Sequence, residues 1–414
     1  MLNRIQSIYE HYPRQFWLLI GGSLLSSAGA SMIWPFLTIY LHQRLNVPLS
    51  LVTTLLTLNS AMGILASFIA GSIADRFGRK SVMVASLVMG VVYYFLMSRA
   101  GTFSAFAFLM GLWGAFNPLF NVGASAMIAD MIPSEGRLQA YALQRMVHNV
   151  GVATGPIIGG FLTTYSYTTA FYGAVLAYAC FSLLVIFALR ETLSRQPVAS
   201  RNQGDSLSLM PVLRNKRFIL FVASFIITNM AASIMFTLLP VYAKEVFGVP
   251  EDQYSFIVTA NALMVIFLQY SVTQVTRRYP PLPVLCVGAI FYGLGLGSIA
   301  LGSGFWSFLP GMIIMSTGEL IMTPTATTLT AELSPADSRG RYMSIYGLSW
   351  PIGAGVGPVV AGVLSEQIAP VAIWYGGMVF GLVSALAFLA MALRWPEASR
   401  RATRQPPESL TPGA

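Results

Sequence analysis

Twelve long apolar runs, separated by polar loops, are the feature of this sequence that most restricts its fold. They lie at residues 16–41, 51–74, 81–98, 103–131, 138–163, 169–189, 217–242, 253–275, 283–302, 305–331, 341–365 and 371–393. About 20 apolar residues suffice for a helix to cross a bilayer. Charged residues make up only 9% of the chain, whereas a soluble domain carries about 25%. We therefore predict an all-α membrane protein with twelve transmembrane helices.

Lysine and arginine fall unevenly on the two sides that this topology creates. The side with both termini has 20 of them, the other side has only Arg44, Arg99 and Lys244, and Arg145 lies within a span. Because positive loops stay on the cytoplasmic side, we expect both termini in the cytoplasm of a bacterial cell and the chain in its inner membrane. The net charge of +9 comes from these loops and does not indicate nucleic-acid binding.

The longest loop divides the spans into two groups of six. We predict an N-terminal six-helix bundle at 1–189, a cytoplasmic linker at 190–216, a C-terminal six-helix bundle at 217–394 and a disordered cytoplasmic tail at 395–414. An offset of 202 residues aligns the halves without a gap, so that Asp130 falls on Glu332 and Gly151 on Gly353. This register predicts two pseudo-symmetric bundles with a site between them near the midplane.

The loop between spans two and three has a composition that a merely basic loop would not need. Gly71 allows one helix end to approach another, and Gly78 permits a tight turn. Asp75 can cap the next helix or pair with an arginine. We expect a cytoplasmic gate formed by Gly71, Asp75, Arg76, Gly78 and Arg79 of this loop and by Asp130 and Arg137 after span four. A solvated loop that only sets the orientation is the alternative.

Span five contains a glycine-rich motif made of Gly151, Gly155, Pro156, Gly159 and Gly160. Glycines four residues apart form a groove for a closely packed helix. A proline inside a helix bends it and frees a backbone carbonyl. The motif therefore predicts a bent, tightly packed helix at the boundary between the bundles.

The loop from Gly71 to Lys80 resembles the signature loop of the major facilitator superfamily, and the span-five motif resembles the one that marks its drug:proton antiporter branch. The resemblance covers essentially the whole chain. It implies the major facilitator fold and, as in bacterial multidrug exporters, export of small compounds in exchange for protons. Many antiporters of this branch carry an arginine in span four, but Ala107 stands at that position here. The usual basic partner of the proton relay is therefore missing.

Glu319 is the one charged side chain in the apolar run 305–329. A carboxylate at that depth costs several kcal/mol unless something uses it. Its mate in the repeat is Asn117, and the resemblance implies that spans one, four, seven and ten line a central cavity. We therefore expect Glu319 and Asn117 to face each other there, with Glu319 as the proton-coupling residue. A structural, hydrogen-bonded acid is the alternative.

Arg145 and His148 are further polar residues within span five. Arg145 pairs either with Glu319 or a substrate anion, or, as we favour, with Asp130 or Asp75 as part of the gate. His148 fits a packed neutral histidine as well as a proton carrier.

Several uncharged side chains are candidates for the walls of the substrate cavity. Asn229 is a polar group within span seven, and Trp34, Met235 and Phe236 offer aromatic and thioether surfaces for an apolar substrate. Such side chains more often face lipid or neighbouring helices, which is the competing interpretation.

We therefore predict a secondary transporter that exports small lipophilic compounds by alternating access, coupled to protons. A transporter of a specific metabolite, such as a sugar or lipid, is one alternative, and a membrane receptor or scaffold is another. We expect no enzyme, because the three histidines, His11, His42 and His148, lie far apart. No nucleotide-binding loop, metal site or cofactor is expected either. The expected partners are a small-molecule substrate, protons and the lipid bilayer, with the chain acting as a monomer.

Overall fold

The computed structural model describes residues 12–193, 210–335 and 338–395. All regular secondary structure in these ranges is helical. The twelve long helices are α1 (Arg14–Leu45), α2 (Leu49–Phe77), α3 (Arg79–Met97), α4 (Phe103–Met131), α5 (Ser134–Tyr165), α6 (Tyr167–Ala188), α7 (Lys216–Phe247), α8 (Glu251–Thr276), α9 (Pro281–Ala300), α10 (Phe305–Leu333), α11 (Arg339–Gln367) and α12 (Ala372–Arg394). In a helix every backbone polar group is bonded within its own segment, which is what a bilayer requires.

Two of the long helices are interrupted. α1 contains a 3-10 turn at Trp34–Phe36, where Pro35 lacks the N–H that would continue the helical pattern. α11 consists of the segments Arg339–Gly347 and Ser349–Gln367, which meet at Leu348. Both interrupted helices pack against the opposite half of the chain, α1 against α7 and α11 against α2.

Eleven helices of the described residues are long and apolar enough to cross a membrane, and α5 is not among them. The predicted fifth span lies within α5, whose 32 residues extend about 48 Å, more than a bilayer core. Its first half is polar and holds Arg137, Gln139, Gln144, Arg145, His148 and Asn149. α5 packs between α1 and α8, so protein surrounds much of it, and its composition is more polar than that of the other spans.

The helices form two pseudo-symmetric bundles of six. One large hydrophobic cluster contains residues from Phe16 to Leu189, and another is built almost entirely from residues between Val212 and Met391. The predicted 202-residue offset also relates the helix ends: α1 and α7, like α4 and α10, begin and end at matching positions. Most of the predicted linker (194–209) and of the predicted tail (396–414) lies outside the described residues.

Gly151 and Gly155 of span five pack against α1, and their mates Gly353 and Gly357 in α11 make the same contacts with α7. A Cβ atom built on Gly155 would lie 2.5 Å from Cβ of Ser31, and one built on Gly357 would lie 2.7 Å from Oγ of Ser233. Gly357 lies 202 residues after Gly155, and Ser233 lies 202 residues after Ser31, so the second contact is the repeat of the first. The same close packing occurs at Gly151 and Gly159, which meet Ser27 and Met32 of α1. The internal repeat is therefore a repeat of helix packing as well as of sequence.

The two bundles touch mainly toward one face of the molecule. We call the face that carries Tyr12 and Trp395 the terminal face and the opposite one the distal face. Near the distal face Ser50 of α2 donates to Glu366 of α11, through N at 2.7 Å and Oγ at 2.8 Å. Deeper along the same helix pair, Thr57 Oγ1 donates to the carbonyl of Gly355 at 2.5 Å.

Toward the terminal face the spacing between α2 and α11 becomes larger. Gly71 of α2 is exposed, and Gly340 and Gly347 of α11 are likewise open: a Cβ atom built on any of the three would have no atom within 4 Å. The close helix approach that we expected at Gly71 is therefore not present in this conformation. Contact at the distal face and separation at the terminal face leave a space between the bundles that opens toward the terminal face.

We expect Gly155→Ala to lower the free energy of unfolding by about 1–3 kcal/mol, because the added methyl group would collide with α1. Thermal unfolding in detergent would measure this change. Gly21→Ala is the matched control on α1, because no atom lies within 4 Å of the added carbon. The control should be neutral or stabilising by up to about 1 kcal/mol, since alanine favours helices. Equal unfolding temperatures for the two variants would contradict the packing role.

Candidate functional site

Glu319 lies at the midpoint of α10, fourteen residues from each end of the helix. It is only partly exposed. Its Oε2 accepts a hydrogen bond of 2.8 Å from Nδ2 of Asn261 in α8. The same amide nitrogen donates to Ser316 Oγ at 2.9 Å. The acid predicted from the sequence is therefore held in a defined orientation by a neighbouring helix of its own bundle.

Arg145 brings a positive charge toward this acid from the opposite bundle. Its charge acts on Glu319, on Tyr346 of α11 and on His148 of its own helix. Among the ion pairs formed by the described residues, none joins Arg145 to Asp75 or Asp130, the partners that we favoured. None of these ion pairs joins Arg145 to Glu319 either, so neither of the pairings that we considered is present among the described residues, and the role of Arg145 stays a prediction.

A cavity of about 970 Å³ lies between α2, α4 and α11, toward the terminal face. Its polar lining consists of Asn59, Ser60 and Ser67 of α2, Asn117 of α4, and Arg341 and Ser344 of α11. Glu319 does not line it. Asn117 therefore lines this cavity, whereas Glu319 binds Asn261 of α8, and the predicted meeting of Glu319 and Asn117 across one cavity stays a prediction.

Of the other predicted cavity residues, none lines this space. Asn229 is buried and donates to Ser349 Oγ at 3.2 Å, so it joins α7 to α11. Met235 is fully buried in the hydrophobic core. The rings of Trp34 and Phe236 lie 6.0 Å apart across the bundles. The structure therefore places Asn229 and Met235 in the packing between helices, and Trp34 and Phe236 in the contact between bundles.

The predicted gate loop forms a compact cluster within the N-terminal half. Nη1 of Arg79 lies 2.5 Å from Oδ1 of Asp75, and its Nε lies 3.5 Å from Oδ2 of Asp130. Gly78 has φ +97°, a conformation that favours glycine. A side chain there would also collide with Glu191. Asp75 thus pairs with an arginine, one of the two roles predicted for it.

Glu191 is a functional candidate that sequence reasoning missed. Its carboxylate accepts hydrogen bonds of 3.0 Å from the backbone N–H groups of Arg79 and Lys80, so it caps the N-terminus of α3 from a distant part of the chain. Thr192 beside it donates to Asp130 at 3.0 Å. The only sequence signal was an acid directly after span six, in a segment that resembles solvated linker.

The remaining gate candidates make local contacts. The guanidinium of Arg76 lies 5.5 Å from the ring centroid of Phe77. Arg137 Nε donates to the carbonyl of Ile132 at 2.9 Å, at the C-terminal end of α4. Both side chains therefore stay within the N-terminal bundle in this conformation.

Polar contacts close the distal face between the bundles. Glu251, at the start of α8, binds both Lys244 of α7 and the hydroxyl of Tyr167 at the start of α6. His42 Nε2 of α1 lies 3.4 Å from Glu245 of α7. Tyr167 and His42 belong to one bundle and their acidic partners to the other, so opening the distal face requires both contacts to break.

We expect Tyr167→Phe to loosen this closure, because it removes the hydroxyl that joins α6 to Glu251. The test uses a protein with a single cysteine at Ser255, a fully buried position beside the contact, and with Cys180 and Cys286 replaced by alanine. Labelling by a bulky maleimide in detergent should become about fivefold faster, the factor given by the loss of about 1 kcal/mol.

Tyr172→Phe is the control for this experiment. The hydroxyl of Tyr172 accepts a hydrogen bond of 2.9 Å from Arg99, so it lies near the same face but within one bundle. Its removal should leave the labelling rate unchanged. If Tyr167→Phe also left the rate unchanged, the hydroxyl would have no part in the closure.

Comparison with known proteins places this architecture in a family. The model of the Major Facilitator Superfamily matches residues 19–329 and 243–412. The chain is 25% identical to the multidrug resistance protein MdtH of Shigella sonnei, over 94% of this chain and 96% of the relative. It is also 25% identical to a Na(+), Li(+), K(+)/H(+) antiporter of Planococcus maritimus, over 92% and 95% of the two chains.

Solved structures of transporters have the same fold. The nucleoside transporter NupG superposes with a TM-score of 0.74 at 15% identity, and the match covers 92% of this chain and 99% of that one. The fold, the repeat of its two bundles and the family match agree along most of the chain. The protein is therefore a multi-pass membrane transporter and a member of the major facilitator superfamily.

Proposed function

We propose that this transporter exports small lipophilic compounds from a bacterial cell in exchange for protons, by alternating access and as a monomer. Relatives over nearly the whole chain carry the names multidrug resistance protein and cation/proton antiporter, which supports export and proton exchange. The main support from the molecule itself is the environment of Glu319.

Glu319 is suited to coupling because it can change its charge at the boundary between the bundles. An ionised carboxylate in the middle of a membrane costs about 3 kcal/mol or more, and Asn261 and the positive charge of Arg145 offset part of that cost here. When Glu319 takes up a proton, the attraction to Arg145 of the opposite bundle is lost. Proton binding therefore changes the relative free energies of the open and closed arrangements, which is what coupling requires.

The orientation follows from the distribution of lysine and arginine. Twenty of them lie on the side of the termini and three on the opposite side, so we assign the terminal face to the cytoplasm and the membrane to the inner membrane. The space between α2 and α11 then opens to the cytoplasm. The conformation described here is the one in which an exporter takes up its substrate.

To release the substrate on the other side of the membrane, the distal face must open and the terminal face must close. The contacts of Glu251 and Glu245 with the opposite bundle must break. The open glycines of α2 and α11, among them Gly71 and Gly340, then allow these helices to approach at the terminal face. We propose that the ion pairs around Asp75 and Arg79 hold the end of α2 in the conformation that this contact needs.

Reconstituted vesicles with an imposed pH gradient test the coupling. We expect Glu319→Gln to abolish gradient-driven accumulation of dyes and drugs that the wild type accumulates, because glutamine cannot take up or release the proton. Binding of the same compounds without a gradient should remain. The readout is fluorescence or radioactivity retained in the vesicles.

Glu332→Gln is the matched control for this test. Glu332 lies on the same helix but is exposed near its terminal-face end, so its replacement should leave accumulation unchanged. Full accumulation by Glu319→Gln would remove the proposed role of this acid, and a receptor or scaffold without transport would show no accumulation even for the wild type.

A further inference from the structure

The two sides of the boundary between the bundles are related by the internal repeat, but their side chains differ. On one side Asn261 of α8 binds Glu319 of α10. At the 202-residue offset these positions correspond to Asn59 of α2 and Asn117 of α4, and both line the 970 Å³ cavity on the other side. The acid–amide pair of one side is thus matched by two amides on the other.

The helices α5 and α11, which are also related by the repeat, differ in charge in the same way at two positions, where α5 carries charged or ionisable side chains and α11 carries neutral ones. On the side of the acidic pair, α5 packs against α8 and carries Arg145, whose charge acts on Glu319, and His148 three residues further along. Their mates at the same offset are Gly347 and Trp350 of α11, which line the cavity. We call the side with Glu319 the charged seam and the side with Asn117 the neutral seam. The cavity lies on the neutral seam, where a glycine replaces the large arginine side chain.

The lining of the neutral seam defines the chemistry of a ligand. Trp350 is 44% exposed and Phe68 is 60% exposed, and both present flat apolar surfaces to the cavity. The side-chain amide of Asn117, which lies within α4, forms no hydrogen bond with any other described residue, so it remains available to a ligand. Asn59 uses its amide nitrogen on the carbonyl of Met110 at 2.8 Å, which leaves its side-chain oxygen as an acceptor.

The charges around the neutral seam disfavour a cationic ligand. Among the described residues that line the cavity, none is acidic, and Arg341 is the one charged side chain. Arg341 lies in the first turn of α11, at the terminal-face end of the cavity. A cation bound against this lining would find no carboxylate among the described residues that form it. A cavity of this size accommodates a drug-sized molecule.

We propose that the neutral seam is the substrate site, that it binds flat, uncharged, mostly apolar molecules with a few hydrogen-bonding groups, and that the charged seam is reserved for the proton. This inference rests on the proposed transport function. It assigns the two ligands to different sides of the boundary between the bundles, so that substrate and proton act on the same pair of bundles without competing for Glu319. Their coupling then runs through the opening and closing of the bundles.

Direct binding to purified protein in lipid nanodiscs, at one pH and without a gradient, tests the site. The probes are two uncharged aromatic compounds, linezolid and carbamazepine, and the flat aromatic cation ethidium. We expect the wild type to bind at least one uncharged probe at least tenfold more tightly than ethidium. Failure of both uncharged probes to bind the wild type, or tighter binding of ethidium, would overturn the ligand class.

Two variants locate the bound probe. Gly347→Leu should fold, because no atom lies within 4 Å of the added Cβ, and it should weaken binding at least tenfold by filling the cavity. Trp350→Ala should also weaken binding at least tenfold, through loss of the aromatic wall. Trp306→Ala is the matched control, because Trp306 is 82% exposed near the distal end of α10. It should bind the probe as the wild type does.

The outcomes distinguish this inference from the proposed function. If Gly347→Leu and Trp350→Ala bind the probe normally, the neutral seam is not the substrate site, whatever the transport assay gives. If Glu319→Gln abolishes binding as well as gradient-driven accumulation, the substrate occupies the charged seam and the separation proposed here is overturned. Normal accumulation by Glu319→Gln would instead remove the proton-coupling role and leave the binding site unaffected.

Discussion

Lipid offers a polar atom no hydrogen-bond partner, and this constraint decides where polar groups lie in the molecule. Backbone groups are bonded within helices, and buried polar side chains are bonded between them. The hydroxyls of Thr228 and Ser384 lie 2.6 Å apart between α7 and α12, and Asn261 joins α8 to α10. Ionisable groups at membrane depth concentrate where the bundles meet. The boundary between the bundles is therefore the place where charge can move and where binding sites can form.

The two halves of the internal repeat share their helix packing but differ in their polar side chains. Steric restriction explains why the first is shared and the second is not. A close contact such as Gly155 with Ser31, or Gly357 with Ser233, leaves no room for a larger side chain, so both copies retain it. A side chain that faces an open space meets no such restriction. The positions of Arg145 and Gly347 are related by the repeat, yet one copy carries a charge and the other carries none. A duplicated scaffold can thereby present two different chemistries to one central space.

Sequence reasoning predicted the helices and the repeat well because both depend on local patterns. Apolar runs of bilayer length mark the spans, and the 202-residue register relates helices that the structure starts and ends at matching positions. It succeeded less with the walls of the cavity. Asn229 and Met235 are buried between helices, since an apolar span shows little periodicity that would distinguish its lipid, helix and cavity faces. Glu191 was missed because it caps α3 from over 100 residues away.

The sequence by itself determined that the chain crosses the membrane many times, that its halves are related, and that a single acid lies in the middle of the tenth span. These properties follow from hydropathy and spacing, which each segment carries independently of its neighbours. Only the tertiary structure decided that Asn261 binds Glu319, that Asn117 lines a cavity, and that the bundles meet at the distal face. Those relations depend on how helices far apart in sequence rotate and tilt against one another, and that is set by side-chain packing between them.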